Sequence, residues 1–271
     1  MFKINNLTYQ YDKTRKALNN VSMDFNKGNI IGIIGSNGSG KSTLFNNLMG
    51  ILKSTEGEIL YNGEQIKYDK KSLYNLRKEV GIVFQDPEKQ IFYSMVYDDI
   101  AFALRNIGID EKTIKERIHT ALEAVNGLQF IDRPVHNLSF GQKKRVAIAS
   151  VVAMENKLVL LDEPTAGLDP ISTRAIVDII KGLNKRGVKI VISSHDMNLI
   201  YEICDYVYVL NQGVLINEGT REEVFINEEK IDEAGLELPW LVKLHKNMGL
   251  LLFTKEQDLY SYWNHREQKT V

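Results

Sequence analysis

Apolar runs of four or five residues, bounded by turn residues, alternate along this chain with segments of helical period. FKINNLTYQY alternates apolar and polar positions, and GNIIGII is a continuous apolar run, so residues 1–34 read as strands. A helix from Lys41 to about Met49 is expected after Gly40. GEILYNGEQI reads as a hairpin turning at Asn62-Gly63, and KEVGIVFQ as another buried strand. From about Ser94 to Leu128 the period becomes helical, through AFALRNIGI and KTIKERIHTALEAVNGL. Further on, KLVLLD precedes a helix after Pro170, VKIVISS precedes DMNLIYEIC, and DYVYVLNQGVLINEG reads as a hairpin. This order predicts an α/β fold: a mainly parallel sheet, an N-terminal antiparallel β part, and a separate helical lobe inserted between Ser94 and Ala153. The text is less periodic from Glu222 onward. LPWLVKLHKNMG fits an amphipathic helix with Pro239 in its first turn.

Composition narrows the classes. Of 271 residues, 44% are hydrophobic, enough for a sizeable core. Lys and Arg number 34 against 35 Asp and Glu, a net charge of −1, which argues against a nucleic-acid-coating protein. The one cysteine, Cys204, allows no internal disulfide, suits a reducing compartment, and reads as a small buried hydrophobe. The polar start MFKINNLTYQ predicts no signal peptide, and the apolar runs are too short to span a bilayer. Any membrane role must therefore act through a partner. His119, His136, His245 and His265 show no metal-ligand spacing.

Three stretches carry chemistry. GSNGSGKST, Gly35 to Thr43, matches G-x-x-x-x-G-K-[ST] and follows a predicted strand. Its glycines let backbone N–H groups of Ser36, Asn37, Gly38, Ser39 and Gly40 face phosphates. Lys41 brings a positive charge to the terminal phosphates, and the Ser42 hydroxyl can ligate Mg²⁺. LVLLDEP ends an apolar strand in two carboxylates: Asp162 suits Mg²⁺ through water, and Glu163 suits a base that polarises a water for in-line attack. LSFGQKKRVAIAS, Leu138 to Ser150, reads as a second anion-binding helix start. Its Lys143, Lys144 and Arg145 read as a solvated helical face.

Together these residues resemble the ATP-binding subunits of ABC transporters, over roughly Phe2 to Glu223. The resemblance implies an ABC ATPase domain over residues 1–223, with a helical subdomain at about 90–153 and a C-terminal extension over 224–271. It implies ATP and Mg²⁺ as ligands, with Thr43 completing the phosphate loop. Tyr11 falls where the family stacks an aromatic ring on adenine; a strand aromatic is the plainer alternative, and Tyr9 competes for the role. Gln85, in VFQDPEKQ, matches the Q-loop glutamine that reaches Mg²⁺ or the attacking water. AGLD matches the D-loop, placing Asp169 at a dimer interface, a role compatible with capping the helix after Pro170. His195, in SSHD, matches the switch histidine at the terminal phosphate. LSFGQ stands where the family carries LSGGQ, so Ser139, Gly141 and Gln142 would serve, in trans, a nucleotide held by a partner chain.

One departure is Phe140, where the family usually has glycine; the backbone donors survive that change. This variant, with VFQDPEKQIFYSMVYDDIAF and LDEPTAGLDP, is similar to the ATPases of cobalt-type and energy-coupling-factor importers. That likeness implies membrane subunits as partners, a coupling T-type and a substrate-binding component. It places the chain at the cytoplasmic face of the membrane and puts a second ATPase chain, identical or a sister, across the nucleotides. Cobalt is the expected cargo and a vitamin the rival. Ile91 to Leu104 reads equally as a groove for a membrane subunit's helix and as packing between lobes. The tail around Trp240, Leu241 and Leu244 reads either as contact with a second copy or as a helix folded on its own domain. The same core in nucleic-acid machines is interrupted by long coiled coils or zinc modules, for which this chain has no heptads and no cysteine cluster.

Overall fold

The computed structural model describes residues 1–12 and 14–267. Two sheets organise it. The smaller is antiparallel, in the order β2-β1-β4-β5, from β1 (Phe2–Gln10), β2 (Lys16–Asp24), β4 (Glu56–Tyr61) and β5 (Glu64–Gln65). The larger runs β10-β9-β3-β8-β7-β6, from β3 (Ile30–Ile34), β6 (Val80–Val83), β7 (Leu158–Asp162), β8 (Lys189–Ser194), β9 (Tyr206–Asn211) and β10 (Val214–Thr220). All its neighbours are parallel except the β9–β10 hairpin. The strand read from GNIIGII thus lies apart from the antiparallel part, as β3 at the centre of the parallel sheet. Asn62 and Gly63 both take positive φ, the two-residue turn their sequence calls for.

Why β3 and β7 are uninterrupted apolar runs follows from their position: every residue in both is buried. Alternate side chains face opposite layers. Ile31 and Ile33 pack with Leu44, Phe45 and Leu48 of α1 (Lys41–Leu48) and with the small sheet's Phe2, Ile4 and Leu18. Ile30 and Ile34 face the other way, against α6 (Pro170–Lys185), α7 (Met197–Ile203) and the helical lobe. Fully burying each such side chain contributes about 1.5–3 kcal/mol relative to leaving it exposed. Gly32 is needed where α7 closes on β3, since a Cβ there would lie 3.0 Å from Ile200 Cγ2 and 3.2 Å from Cys204 Sγ. Cys204 is fully buried, and burial pushes its thiol pKa up.

The outer helix α2 (Lys70–Glu79) is capped by Asp69, whose side chain accepts from Lys71 and Ser72 N–H. The inserted lobe comprises α3 (Val96–Asn106), α4 (Glu111–Ala124) and α5 (Phe140–Ala153), joined by Val96, Ile100, Leu104, Ile114, Ile118, Leu122 and Val146. The C-terminal segment adds α8 (Arg221–Ile226), α9 (Glu228–Glu233), α10 (Trp240–Met248) and α11 (Glu256–Glu267). α8 runs across position 223. Val224, Phe225, Ile231, Leu241 and Val242 bury into the same core as α6 and α7. The Trp240–Leu244 stretch therefore folds on its own domain, with Trp240 N–H donating to Asn198 Oδ1 at 2.9 Å. Pro239 sits at its N-cap, one residue before the helix. No helix among the described residues is long and apolar enough to cross a membrane.

Candidate active site

Four adjacent parallel strands deliver the site residues, because all of them end at the same sheet edge. Register pairs Ile34 with Ser194, Asp162 with Ser193, and Val83 with Leu161. The loops leaving β3, β6, β7 and β8 therefore meet where α/β sheets bind ligands, outside the carboxyl ends of the strands. The resulting cleft has a volume of about 1020 Å³ and is lined by Tyr11, Ser36 to Thr43, Gln85, Glu163 and His195.

The phosphate loop wraps the start of α1. Its N-cap is Gly40 at φ 108°, with no side-chain cap and no acidic residue in the first turn. The exposed amides and the positive helix end are thus left to an outside anion. Ser39 Oγ is buried with no partner among the described residues, which fits a bound polyphosphate. Lys41 is 7% exposed; its ammonium donates to Gly35 O at 2.7 Å and Ser36 O at 3.1 Å and lies 3.9 Å from Glu163 Oε1. Burial lowers its pKa, opposed by the Glu163 and Asp162 charges. Ser42 is exposed to the cleft, and Thr43 is buried with its hydroxyl 3.2 Å from Tyr11 Oη.

Gly35 must stay a glycine. It adopts φ 155°, and an added Cβ would lie 2.2 Å from Leu210 O and 2.5 Å from Ser39 Oγ. Gly35→Ala is expected to cost about 1–3 kcal/mol, read as a lower urea midpoint with unchanged slope.

The acidic pair divides its work. Asp162, at the end of β7, is buried and accepts from Ser193 Oγ at 2.5 Å, and it stands behind the cleft wall. Glu163 is also buried, yet its carboxylate lines the cleft, with Oε2 2.8 Å from His195 Nδ1. Its backbone is unusual for a non-glycine residue, at φ 46°. Its N–H reaches Ser193 O at 3.1 Å and Ser193 Oγ at 3.0 Å. Gln85 follows β6 and is exposed into the same cleft. Of the two tyrosines, Tyr11 lines the cleft, and Tyr9 supports it edge-on with ring centroids 5.0 Å apart.

Ser139, Gly141 and Gln142 lie elsewhere, at the start of α5. Ser139 Oγ accepts from Gln142 N–H at 3.3 Å, and Gln142 Oε1 accepts from Ser139 N–H at 2.9 Å, a reciprocal cap. Gly141 is set against the start of α6, where Asp169 caps by accepting from Ser172 N–H and Oγ. Those hydrogen bonds from Ser172 hold the Asp169 carboxyl below its usual range. The capping role expected of Asp169 is present.

One reading from the sequence is corrected. Lys143 to Arg145 do not form a solvated face. Lys144 is fully buried and donates to Glu163 O at 2.7 Å, and Arg145 donates to Asn126 O at 3.0 Å over the Phe130 ring. Helical period places Lys144 on one face with apolar Ala147 and Ile148, and that apolar surround was the signal. Burial lowers the Lys144 pKa to about 8. Sequence reasoning also missed Asp12, Arg15, Lys16, Asn211 and Gln212 in the cleft wall. The last two sit at the tip of the β9–β10 hairpin, where Gly213 N–H donates to Ser39 O at 3.0 Å.

Known proteins match this arrangement. The family model described as ABC transporter matches residues 18–166. The cobalt import ATP-binding protein CbiO of Salmonella typhimurium is 47% identical over 261 residues, covering 96% of this chain and 94% of that protein. The energy-coupling factor transporter ATP-binding protein EcfA of Methanocaldococcus jannaschii is 45% identical, covering 88% of this chain and 85% of that protein. A solved structure of CbiO1 from Clostridium perfringens, described as part of the ABC transporter complex cbiONQ, superposes with a TM-score of 0.78. It is 41% identical and covers 90% of this chain and 98% of that one. A nucleotide-type phosphate loop, a buried acidic pair, a histidine on the carboxylate and these likenesses all agree. The chain belongs to the ABC transporter family, as an ATP-binding and ATP-hydrolysing subunit of the cobalt-import and energy-coupling-factor type.

Proposed function

We propose that this chain powers uptake of a transition-metal ion, cobalt, through separate membrane subunits. The observation that carries the cargo is likeness to a cobalt import protein along nearly the whole chain. The likeness to an energy-coupling factor protein supports a second reading, in which the cargo is a vitamin.

In the hydrolysis, Tyr11 stacks on the adenine, and the amides of Ser36 to Thr43 with Lys41 hold the phosphates. Glu163 accepts a proton from the attacking water as the new O–P bond forms. The bond to the ADP oxygen breaks, and the proton leaves with the phosphate. His195, on the far oxygen of the same carboxylate, orients it and contacts the terminal phosphate. Mg²⁺ bound with the nucleotide would be held by Ser42 and Gln85, with Asp162 through water, and it neutralises phosphate charge.

The signature residues Ser139, Gly141 and Gln142 do not line this chain's own cleft. They are read as closing a partner chain's nucleotide, with Asp169 at the same interface. Two identical chains are the favoured pair, and a sister ATPase is the alternative. Nucleic acid is not among the partners proposed.

The Phe92–Tyr93 loop is the proposed dock for a membrane subunit, which places the chain at the cytoplasmic face. Phe92 is 79% exposed, and Tyr93 is exposed beside Phe102. Buried Asp99 pins the loop by accepting from Phe92 N–H at 2.8 Å and Tyr93 N–H at 3.2 Å. Burial raises the Asp99 pKa, and the two amides oppose that rise. Val96, Ile100 and Leu104 point inward, so the segment serves core and surface at once. Phe92→Glu and Tyr93→Glu are expected to release the chain from the membrane subunits in a pull-down, with hydrolysis by the free chain unchanged. Retained assembly would sink the docking role.

Cargo is tested in cells lacking this chain. Radioactive cobalt uptake should fall to background and return with the wild-type chain but not with Glu163→Gln. Normal cobalt uptake beside lost vitamin uptake would select the vitamin reading.

A further inference from the structure

We infer that Lys144 is a positioning residue for hydrolysis. From the second turn of the signature helix α5 it holds the backbone of Glu163, and so ties the helix start proposed to face a partner's nucleotide to this chain's own catalytic carboxylate. The inference rests on the proposed role of Glu163.

Lys144 is an expensive residue to bury. It is fully enclosed, and its one hydrogen bond among the described residues goes to the neutral carbonyl of Glu163. A buried ammonium without a paired carboxylate costs desolvation, and a methionine would fill the same space without that cost. Its use lies in what it holds. Glu163 sits in the left-handed region, which non-glycine residues keep only when the surroundings over-determine it. Its N–H is taken by Ser193, and its carbonyl accepts from Ala166 N–H at 3.2 Å and from Lys144 at 2.7 Å. That backbone aims the carboxylate at Lys41 and His195. Of the groups pinning it, only Lys144 comes from α5.

Phe140 completes the connection. Its ring lies 5.5 Å from the Lys144 ammonium, and a Cβ on Gly167 would meet its Cε1 at 3.5 Å. The residue that replaces the usual signature glycine thus roofs Lys144 and lies beside Gly167, in the loop after Glu163. A movement of the α5 start carries Lys144 with it and, through one hydrogen bond, the carboxylate.

The test uses the purified full chain. Lys144→Met and Lys144→Gln, the latter a bond too short for the carbonyl, are compared with Lys144→Arg, which keeps a donor of sufficient reach. The first two are expected to lower kcat roughly ten- to a hundred-fold, with KM and ATP Kd within about threefold. Tm should hold, and Lys144→Arg should recover most of the loss. Measuring Met and Gln together keeps the test standing if one fails to fold. Near-wild-type kcat in both, or equal losses in all three with a lowered Tm, would overturn the inference. A Glu163→Gln control separates the cases. If that control hydrolyses normally, the carboxylate's role and this inference fall together. If it is inactive while the Lys144 variants are fully active, only the tie falls.

Discussion

Glu163→Gln is expected to lower kcat by about 100- to 10,000-fold while leaving ATP binding intact. The substitution keeps the shape of a side chain buried between Lys41 and His195 and removes its negative charge, and with it its capacity to take a proton. Nothing in the phosphate loop changes, so the amides at the α1 start and Lys41 still hold the nucleotide. With turnover blocked, the closed complex should accumulate. Light scattering with Mg-ATP should then show twice the 31.0 kDa chain mass, and the chain mass without nucleotide. That doubling would support two identical chains sharing two sites. Binding without doubling would point to a sister ATPase. A variant that still turns over at the wild-type rate would remove Glu163 from the base role.

Lys41→Ala is the second large effect, and it falls on binding. The ammonium is 7% exposed, so its interaction with phosphate is poorly screened. It sits at the end of a helix whose first turn holds no acid and whose cap offers no side chain. Charge-assisted hydrogen bonds are worth about 1.5–3 kcal/mol each, so ATP Kd should rise at least ten- to a hundred-fold by fluorescence titration. Burial lowers the lysine's pKa. Its charge, and with it ATP affinity, is therefore lost as pH rises, earlier than for an exposed lysine. An affinity within about threefold of wild type would show that the amides alone hold the phosphates.

The two variants separate the site into a binding half and a chemical half, and both halves were visible in the text of the chain. The phosphate loop is contiguous from Gly35 to Thr43, and its glycines carry their conformational demand with them. Asp162 ends an apolar strand, Glu163 and His195 each follow one, and strand ends at one sheet edge converge once the order is parallel. The phosphate loop and the two carboxylates needed only local pattern and the rule for where such sheets bind ligands, whereas the role of His195 came from the family resemblance. The antiparallel β part, the inserted helices and the final hairpin followed from period and turn chemistry in the same way.

What the sequence determined by itself is thus the central set of groups proposed to meet ATP, because each lies in or beside a short contiguous motif. Tertiary structure alone decided the rest. Lys144 reads as one of three surface charges until α5 packs against the loop after β7 and encloses it. Asn211 and Gln212 enter the cleft only because β9 pairs with β3, which no local pattern encodes. The left-handed backbone of Glu163 carries no sequence mark, since the groups that enforce it come from β8 and α5. The tail closed onto α6 and α7 because Phe225, Ile231 and Val242 found apolar surface there, a match of faces far apart in the chain. Burial and pairing between distant segments are properties of the assembled layers, and period along the chain does not carry them.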